Sequence, residues 1–335
     1  MLKIENISYY LPNEPVSNKD IIKKNPGWNL NDLNNRTGVN TRYYANKNET
    51  ALDMSIEACK IFFENYNSKK DKIDALIFCT QSNDYIMPPN SSLLHGILGL
   101  SEDVFAFDFN LACSGYIYGL AIANGLLSTN MASNILLVNA DTYSKYINEK
   151  DRSTKILFGD AAAVSYIKNS NQNKGIIDIQ CSTSGENYKK FIIPSGGIRY
   201  PKSKLSCVPI KDKSGNIRTD EDIHMDGMGI FAFVNSKVPK QIKSILKKNS
   251  LNLSDIDLFI FHQASKLAID SLIKILKIDS KKVYINIDKV GNTVSASIPI
   301  ALKDALSDGK IKDGDKILCC GFGVGLSWGT CIIQH

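Results

Sequence analysis

No stretch of the chain approaches the roughly 18 consecutive apolar residues that a membrane-spanning helix needs. The opening MLKIENISYYLPN has neither the apolar core nor the small-residue cleavage site of a secretory leader. These two absences make the cytoplasm the expected location and leave no membrane partner. No CxxC pair occurs among the eight cysteines (59, 79, 113, 181, 207, 319, 320, 331), which removes the common zinc and redox patterns. Several of them lie in apolar runs, where a free thiol behaves as a small hydrophobe, so reduced thiols are expected rather than disulfides or a metal site. Blocks of like charge are missing as well. The 40 Lys and Arg against 34 Asp and Glu leave a net charge of +6, but the lysines are dispersed, which predicts a mild preference for acidic partners and no nucleic acid.

What remains is ordinary globular composition, 43% hydrophobic and 22% charged over 335 residues, enough for one large core or two fused ones. Strand-like apolar runs alternate with helical segments throughout, which predicts an α/β fold with buried strands. Some of these runs recur. IDALIFCTQS (Ile73 to Ser82) reads like IDLFIFHQAS (Ile256 to Ser265), VFAFDFNLAC (Val104 to Cys113) like VYINIDKVGN (Val283 to Asn292), and NILLVNAD (Asn134 to Asp141) like KILCCGFG (Lys316 to Gly323). Matches in the same order at nearly constant offset point to an internal duplication. The expected halves are 1–170 and 171–335, meeting at the polar, glycine-ended KNSNQNKG (Lys168 to Gly175).

The duplication places Cys113, His262 and Asn292 at the ends of strand-like runs, where α/β sheets bind ligands. Alone, each has an ordinary reading: Cys113 as a packed thiol, His262 as a satisfied core histidine, Asn292 as part of a Gly-Asn turn. Their settings say more. Cys113 falls where a strand stops and the apolar helix SGYIYGLAIANGLL begins; at a helix start, unpaired amides and the helix dipole stabilise a thiolate and lower its pKa. Ser114 and Gly115 leave room for a substrate carbonyl, and the Cys113 amide can hold an oxyanion. His262 ends the run DLFIF at a strand-to-helix turn, a position from which an imidazole serves as base or oxyanion donor. GFGVGLSWG (Gly321 to Gly329) lacks the lysine of a phosphate-binding loop and reads as a tight hairpin.

These motifs, in this order, resemble the ketoacyl-acyl-carrier-protein synthase III family of thiolase-like condensing enzymes. The likeness covers the whole chain through RTGVNTR (Arg36 to Arg42), DFNLACSGY (Asp108 to Tyr116), DRSTKILFGDAAA (Asp151 to Ala163), HQAS (His262 to Ser265), VGNTVSAS (Val290 to Ser297) and the terminal GFGVGLSWG. The resemblance implies a five-layered αβαβα sandwich of two similar halves, a homodimer, and a decarboxylative Claisen condensation. In that reaction Cys113 is acylated by an acyl thioester, and a malonyl thioester then loses carbon dioxide and takes up the acyl group. Acyl-CoA or acyl carrier protein and malonyl carrier protein are the implied substrates, with no separate cofactor. His262 and Asn292 are implied donors to the malonyl thioester oxygen, Val324 part of an oxyanion hole, and Phe322 the aromatic lining beside the cysteine. Met87, in SNDYIMPPNSS, is the implied cap of the partner subunit's acyl pocket. Arg36, Arg152, Ser265 and Lys266 are the implied contacts for coenzyme A or carrier protein.

The chain departs from the family around the pantetheine tunnel. It has Asp32 where housekeeping enzymes carry an adenine-stacking tryptophan, Ser265 for the asparagine of HQAN, and Leu267 for the arginine two residues later. These changes favour a specialised acyl or polyketide pathway over routine fatty-acid initiation. Hydroxymethylglutaryl-CoA synthase is disfavoured because Gln81 stands where it needs a glutamate, and degradative thiolases because they use a second catalytic cysteine in a C-terminal CxG motif whereas this terminus reads GFGVGLSWG. A same-fold acyltransferase that does not decarboxylate remains the nearer alternative. A silent acyl-binding subunit fits poorly with an intact cysteine and histidine.

Overall fold

The computed structural model describes residues 2–66, 70–170 and 174–335, apart from the side chains of residues 30–33. Its main strands are β1 (Leu2–Tyr10), β2 (Ala75–Cys79), β3 (Phe105–Phe109), β4 (Asn134–Asp141), β5 (Ala161–Asn169), β6 (Gly175–Thr183), β7 (Leu258–Phe261), β8 (Lys316–Gly323) and β9 (Ser327–Gln334). The main helices are α1 (Leu30–Thr37), α2 (Ala51–Tyr66), α3 (Asn90–Leu98), α4 (Gly115–Ser128), α5 (Gly227–Lys248), α6 (Lys266–Leu276) and α7 (Ser297–Ser307).

One sheet has the order β1-β5-β4-β2-β3 and the other β7-β8-β9-β6. In the first, β2 is parallel to β3 and β4, and β5 is antiparallel to β4 and β1. In the second, β7 is parallel to β8, while β9 is antiparallel to β8 and β6. Matching the two sheets pairs β2 with β7, β4 with β8, β5 with β9 and β1 with β6, in the same order and directions.

VYINIDKV was expected to be the counterpart of β3, and it is not a strand. It makes a single parallel bridge, Val283 to Phe259, then turns into the short helix Ile287–Val290. The reason lies in partners distant in sequence: the Asn286 amide N–H donates to Gln263 Oε1 and the Asn286 side chain donates to Asp304, which holds the backbone out of ladder geometry. Asn292 therefore sits beyond a helical turn rather than at a strand end.

The period-two alternation of the strands sets the layers. Ala75 and Ile77 of β2 face inward with Leu258 and Ile260 of β7, and between them lie Tyr116, Leu120 and Ala123 of α4 and Ile298 and Ala301 of α7. Leu76 and Phe78 face the opposite way, against Met54 and Phe62 of α2 and Leu94 of α3. Phe259 and Phe261 similarly meet Val238 and Ile242 of α5 and Ile269 of α6. Helices, sheet, helices, sheet, helices is the expected αβαβα sandwich. Burial on both sides explains why α4 is apolar nearly all round. Gly119 lets it close on the sheet, since a Cβ there would lie 2.7 Å from Leu137. Among the described residues no helix is long and apolar enough to cross a membrane.

Candidate active site

Cys113 lies between β3 and α4, just before the helix N-cap Ser114. Two glycines of β8 make room for it. A Cβ on Gly321 would stand 2.6 Å from the Cys113 carbonyl oxygen, and one on Gly323 would stand 2.7 Å from Cys113 Cβ and 2.9 Å from its Sγ. The glycine-rich terminal motif is thus a hairpin whose strand runs against the cysteine. Its loop is tied to the start of α4: Ser327 donates to the Val324 carbonyl at 2.7 Å, so Ser114, 2.7 Å from Ser327 Oγ, is the donor in that second bond. Gly323→Ala should therefore push the thiol out of place and slow acylation on the order of 100-fold, read by intact-protein mass spectrometry, with wild-type rates counting against this packing.

His262 directly follows β7, and its amide N–H donates to Cys320 O at 2.8 Å, which fixes it against β8. Its ring stands edge-on to Phe322, with centroids 5.6 Å apart. Ser297, the first residue of α7, puts Oγ 3.0 Å from His262 Nδ1 and accepts from the Gln263 N–H at 2.8 Å. Burial lowers the imidazole pKa to about 3, so the ring is neutral at ordinary pH.

Asn292 is clamped to the other half of the chain: its N–H donates to Leu157 O at 2.9 Å, and its carbonyl accepts from Gly159 N–H at 3.0 Å. Its side-chain oxygen accepts from the Val294 N–H at 3.0 Å, and Nδ2 points towards Ala264 O at 3.4 Å. The motif DRSTKILFGDAAA is thereby explained in part as the backbone rail that places Asn292.

Cys113, His262 and Asn292 line one cavity of about 150 Å³, with Phe322, Gly323 and Ser265 also in its wall. Val324 lines a neighbouring cavity. Ser265 is the N-cap of α6 and accepts from Ala268 N–H, so it is at least partly committed to the helix. Lys266 pairs with Asp270 and packs its Cβ against Gly38, just past α1 and its exposed Arg36. Arg152 opens the short helix Arg152–Lys155. Met87 is 79% exposed on the loop before α3 and lines neither cavity. The Asp32 side chain lies outside the described residues.

The thiol does not follow the expectation of a lowered pKa. Burial, with the nearby Asp141 charge adding to it, pushes Cys113 well up. The helix start is real, but complete removal from water outweighs it. Asp141 is itself raised by burial to about 7 and accepts hydrogen bonds from Gln81 N–H and Ser295 O–H.

Comparison with known proteins gives the family. Residues 107–185 match the 3-oxoacyl-[acyl-carrier-protein] synthase III family, and residues 246–335 match its C-terminal family. The beta-ketoacyl-[acyl-carrier-protein] synthase III of Caldanaerobacter subterraneus subsp. tengcongensis is 36% identical over 328 residues, covering 97% of this chain and 95% of that protein. The chain belongs to the synthase III family.

The synthase III of Clostridioides difficile is 34% identical over 334 residues, covering 99% of this chain and 97% of that protein. A crystal structure of a 3-oxoacyl-(acyl-carrier-protein) synthase III superposes with a TM-score of 0.97 at 35% identity, over 100% of this chain and 99% of that one. As a synthase III, the chain is a condensing enzyme of the acyltransferase class. Sequence reasoning had not singled out Ser297, Asp141 or the aromatic residues Tyr143, Phe158 and Phe191 of this synthase III. The serine stood in plain view at the end of VGNTVSAS, two residues past Ser295, but only the folded chain brings it to the imidazole.

Proposed function

We propose that the chain joins an acyl group, carried on Cys113, to a malonyl thioester with loss of carbon dioxide. The observation that carries this is the single cavity shared by a thiol, a neutral imidazole and a carboxamide. The Cys113 thiol gives up its proton and its sulfur bonds to the acyl carbon, the donor's own carbon–sulfur bond breaks, and the departing sulfur takes up a proton and leaves as a thiol. The amides of Cys113 and Val324 hold the oxyanion. The malonyl carbon–carboxylate bond then breaks and its electrons move onto the thioester oxygen. With the Ser297 hydroxyl donating to Nδ1, His262 carries its proton on Nε2, and Nε2–H and Asn292 Nδ2–H both donate to that oxygen. The carbanion attacks the acyl carbonyl, the new carbon–carbon bond forms, and the Cys113 thiolate is released.

Acyl-CoA or acyl carrier protein is the proposed donor, and malonyl carrier protein the proposed acceptor, with Arg36, Arg152, Ser265 and Lys266 towards the arm that carries them. The eight free thiols suit a reducing cytoplasm. The matching order of the two sheets supports the division into duplicated halves 1–170 and 171–335. Release of labelled carbon dioxide from a malonyl thioester in the presence of an acyl donor is the test. Acyl transfer without that release would instead identify the non-decarboxylating alternative.

A homodimer fits the exposed apolar loop Tyr85, Ile86 and Met87, which are 59%, 97% and 79% exposed in the single chain. Met87 then caps the partner subunit's acyl pocket. Sedimentation at micromolar concentration should give the mass of two chains; a monomer would remove this part of the reading.

A further inference from the structure

Behind the cysteine cavity lies a second one of about 340 Å³, lined by Gln81, Tyr143, Phe191, Ile193, Ile223 and Val324 among others. The two share Phe191. Between them stand three packed rings: Tyr143 and Phe158 are 5.4 Å apart by centroid, Tyr143 and Phe191 6.4 Å, and Phe158 and Phe191 6.1 Å. Cys113 belongs to the same apolar cluster as these rings. The His262 and Asn292 side of the thiol is where the malonyl thioester must bind, so an acyl tail on Sγ runs towards the ring wall. A short tail stops before it. A longer one reaches the larger cavity only by displacing a ring.

One ring of the wall is tethered. The Tyr143 hydroxyl donates to Gln81 Oε1 at 2.5 Å, while Gln81 Nε2–H donates to Asn110 Oδ1 at 2.7 Å and the Gln81 backbone N–H to Asp141 at 2.8 Å. Gln81, Asn110 and Tyr143 follow the ends of the adjacent strands β2, β3 and β4, so the tether is anchored across the sheet. We propose that Tyr143, latched by Gln81, is the gate that limits the acyl group accepted by Cys113 to short chains. Gln81 acts as a positioning residue and Tyr143 as the specificity-determining one. Both are in the same chain as the cysteine they serve. The inference rests on the acyl-Cys113 reading given above.

The test compares acylation rates with acetyl-CoA, butyryl-CoA and octanoyl-CoA by intact-protein mass spectrometry, in the wild type, Gln81→Ala and Tyr143→Phe. Tyr143→Phe keeps the ring and removes only its tether, so its fold is protected. The wild type should take octanoyl at least about tenfold more slowly than acetyl, and both variants should shrink that ratio about tenfold. A loss of packing alone would slow all donors alike and leave the ratio unchanged, which overturns the gate. Equal wild-type rates for acetyl and octanoyl overturn it too. If no donor labels the wild type at all, the acyl-Cys113 reading itself falls, and the gate with it.

Discussion

Cys113→Ala and Cys113→Ser should take up no acyl group, whereas the wild type should gain one acyl mass per chain when incubated with a short acyl thioester. The effect should be all-or-none if Cys113 carries the covalent intermediate, as proposed. Abundance of thiols does not weaken the expectation. Cys59, Cys79 and Cys320 are buried and raised by that burial as Cys113 is. What separates Cys113 from them is access: it alone of the buried cysteines lines the cavity with His262 and Asn292. Cys207 is exposed, so peptide mapping must accompany the mass measurement. An adduct on Cys207, or one that survives in Cys113→Ala, would end the assignment. The pH dependence follows from the same environment. A thiol raised by burial and by Asp141 ionises more as pH increases, so acylation should quicken with pH through and above neutrality. His262, with its pKa near 3, should add no break near the usual histidine value. A break there would show an imidazole that titrates in this step.

The sequence exposes the parts of this site that depend on short-range pattern. Cys113 and His262 are readable because each follows an apolar strand-like run and precedes a helix, and because small residues, Ser114 and Gly115 or Ala264 and Ser265, surround them. The α/β class is readable from strand and helix alternation and the duplication from the recurring runs, whereas the five-layered sandwich comes from the family resemblance. The misreading of VYINIDKV as a strand comes from the same method: its apolar residues alternate, but Asn286 is held by Gln263 and Asp304, distant partners that pattern cannot supply. Long-range partnership also hid Ser297 and the Gln81–Tyr143 tether, which join residues 35 and 62 positions apart. The cysteine's pKa misled for a related reason. A helix start is local and visible in sequence, whereas the desolvation that outweighs it is a property of the whole packed core.

The two remaining site residues should divide the reaction. His262→Ala and Asn292→Ala should each lose about 100- to 1000-fold in malonyl decarboxylation and condensation, about 2.7–4 kcal/mol for one missing donor to a developing oxyanion. Both should still acylate Cys113, because neither side chain belongs to the hairpin and helix start that hold the thiol and its oxyanion amides. The lowered imidazole pKa favours this division, since a ring neutral at ordinary pH is a poor proton acceptor but a sound N–H donor. Ser297→Ala refines the test. It removes the hydroxyl at Nδ1, so the Nε2–H tautomer loses its preference, and decarboxylation should fall while acylation holds. The raised thiol pKa supplies the opposing case: a buried cysteine that needed a base would take it from His262. Then His262→Ala would lose acylation and decarboxylation together, and raising the pH would restore the first. Acylation rate and carbon dioxide release, measured side by side in both variants with their melting temperatures, separate the two. Equal loss of both activities, or loss of neither, rejects the assignment of His262 and Asn292 to the malonyl oxygen.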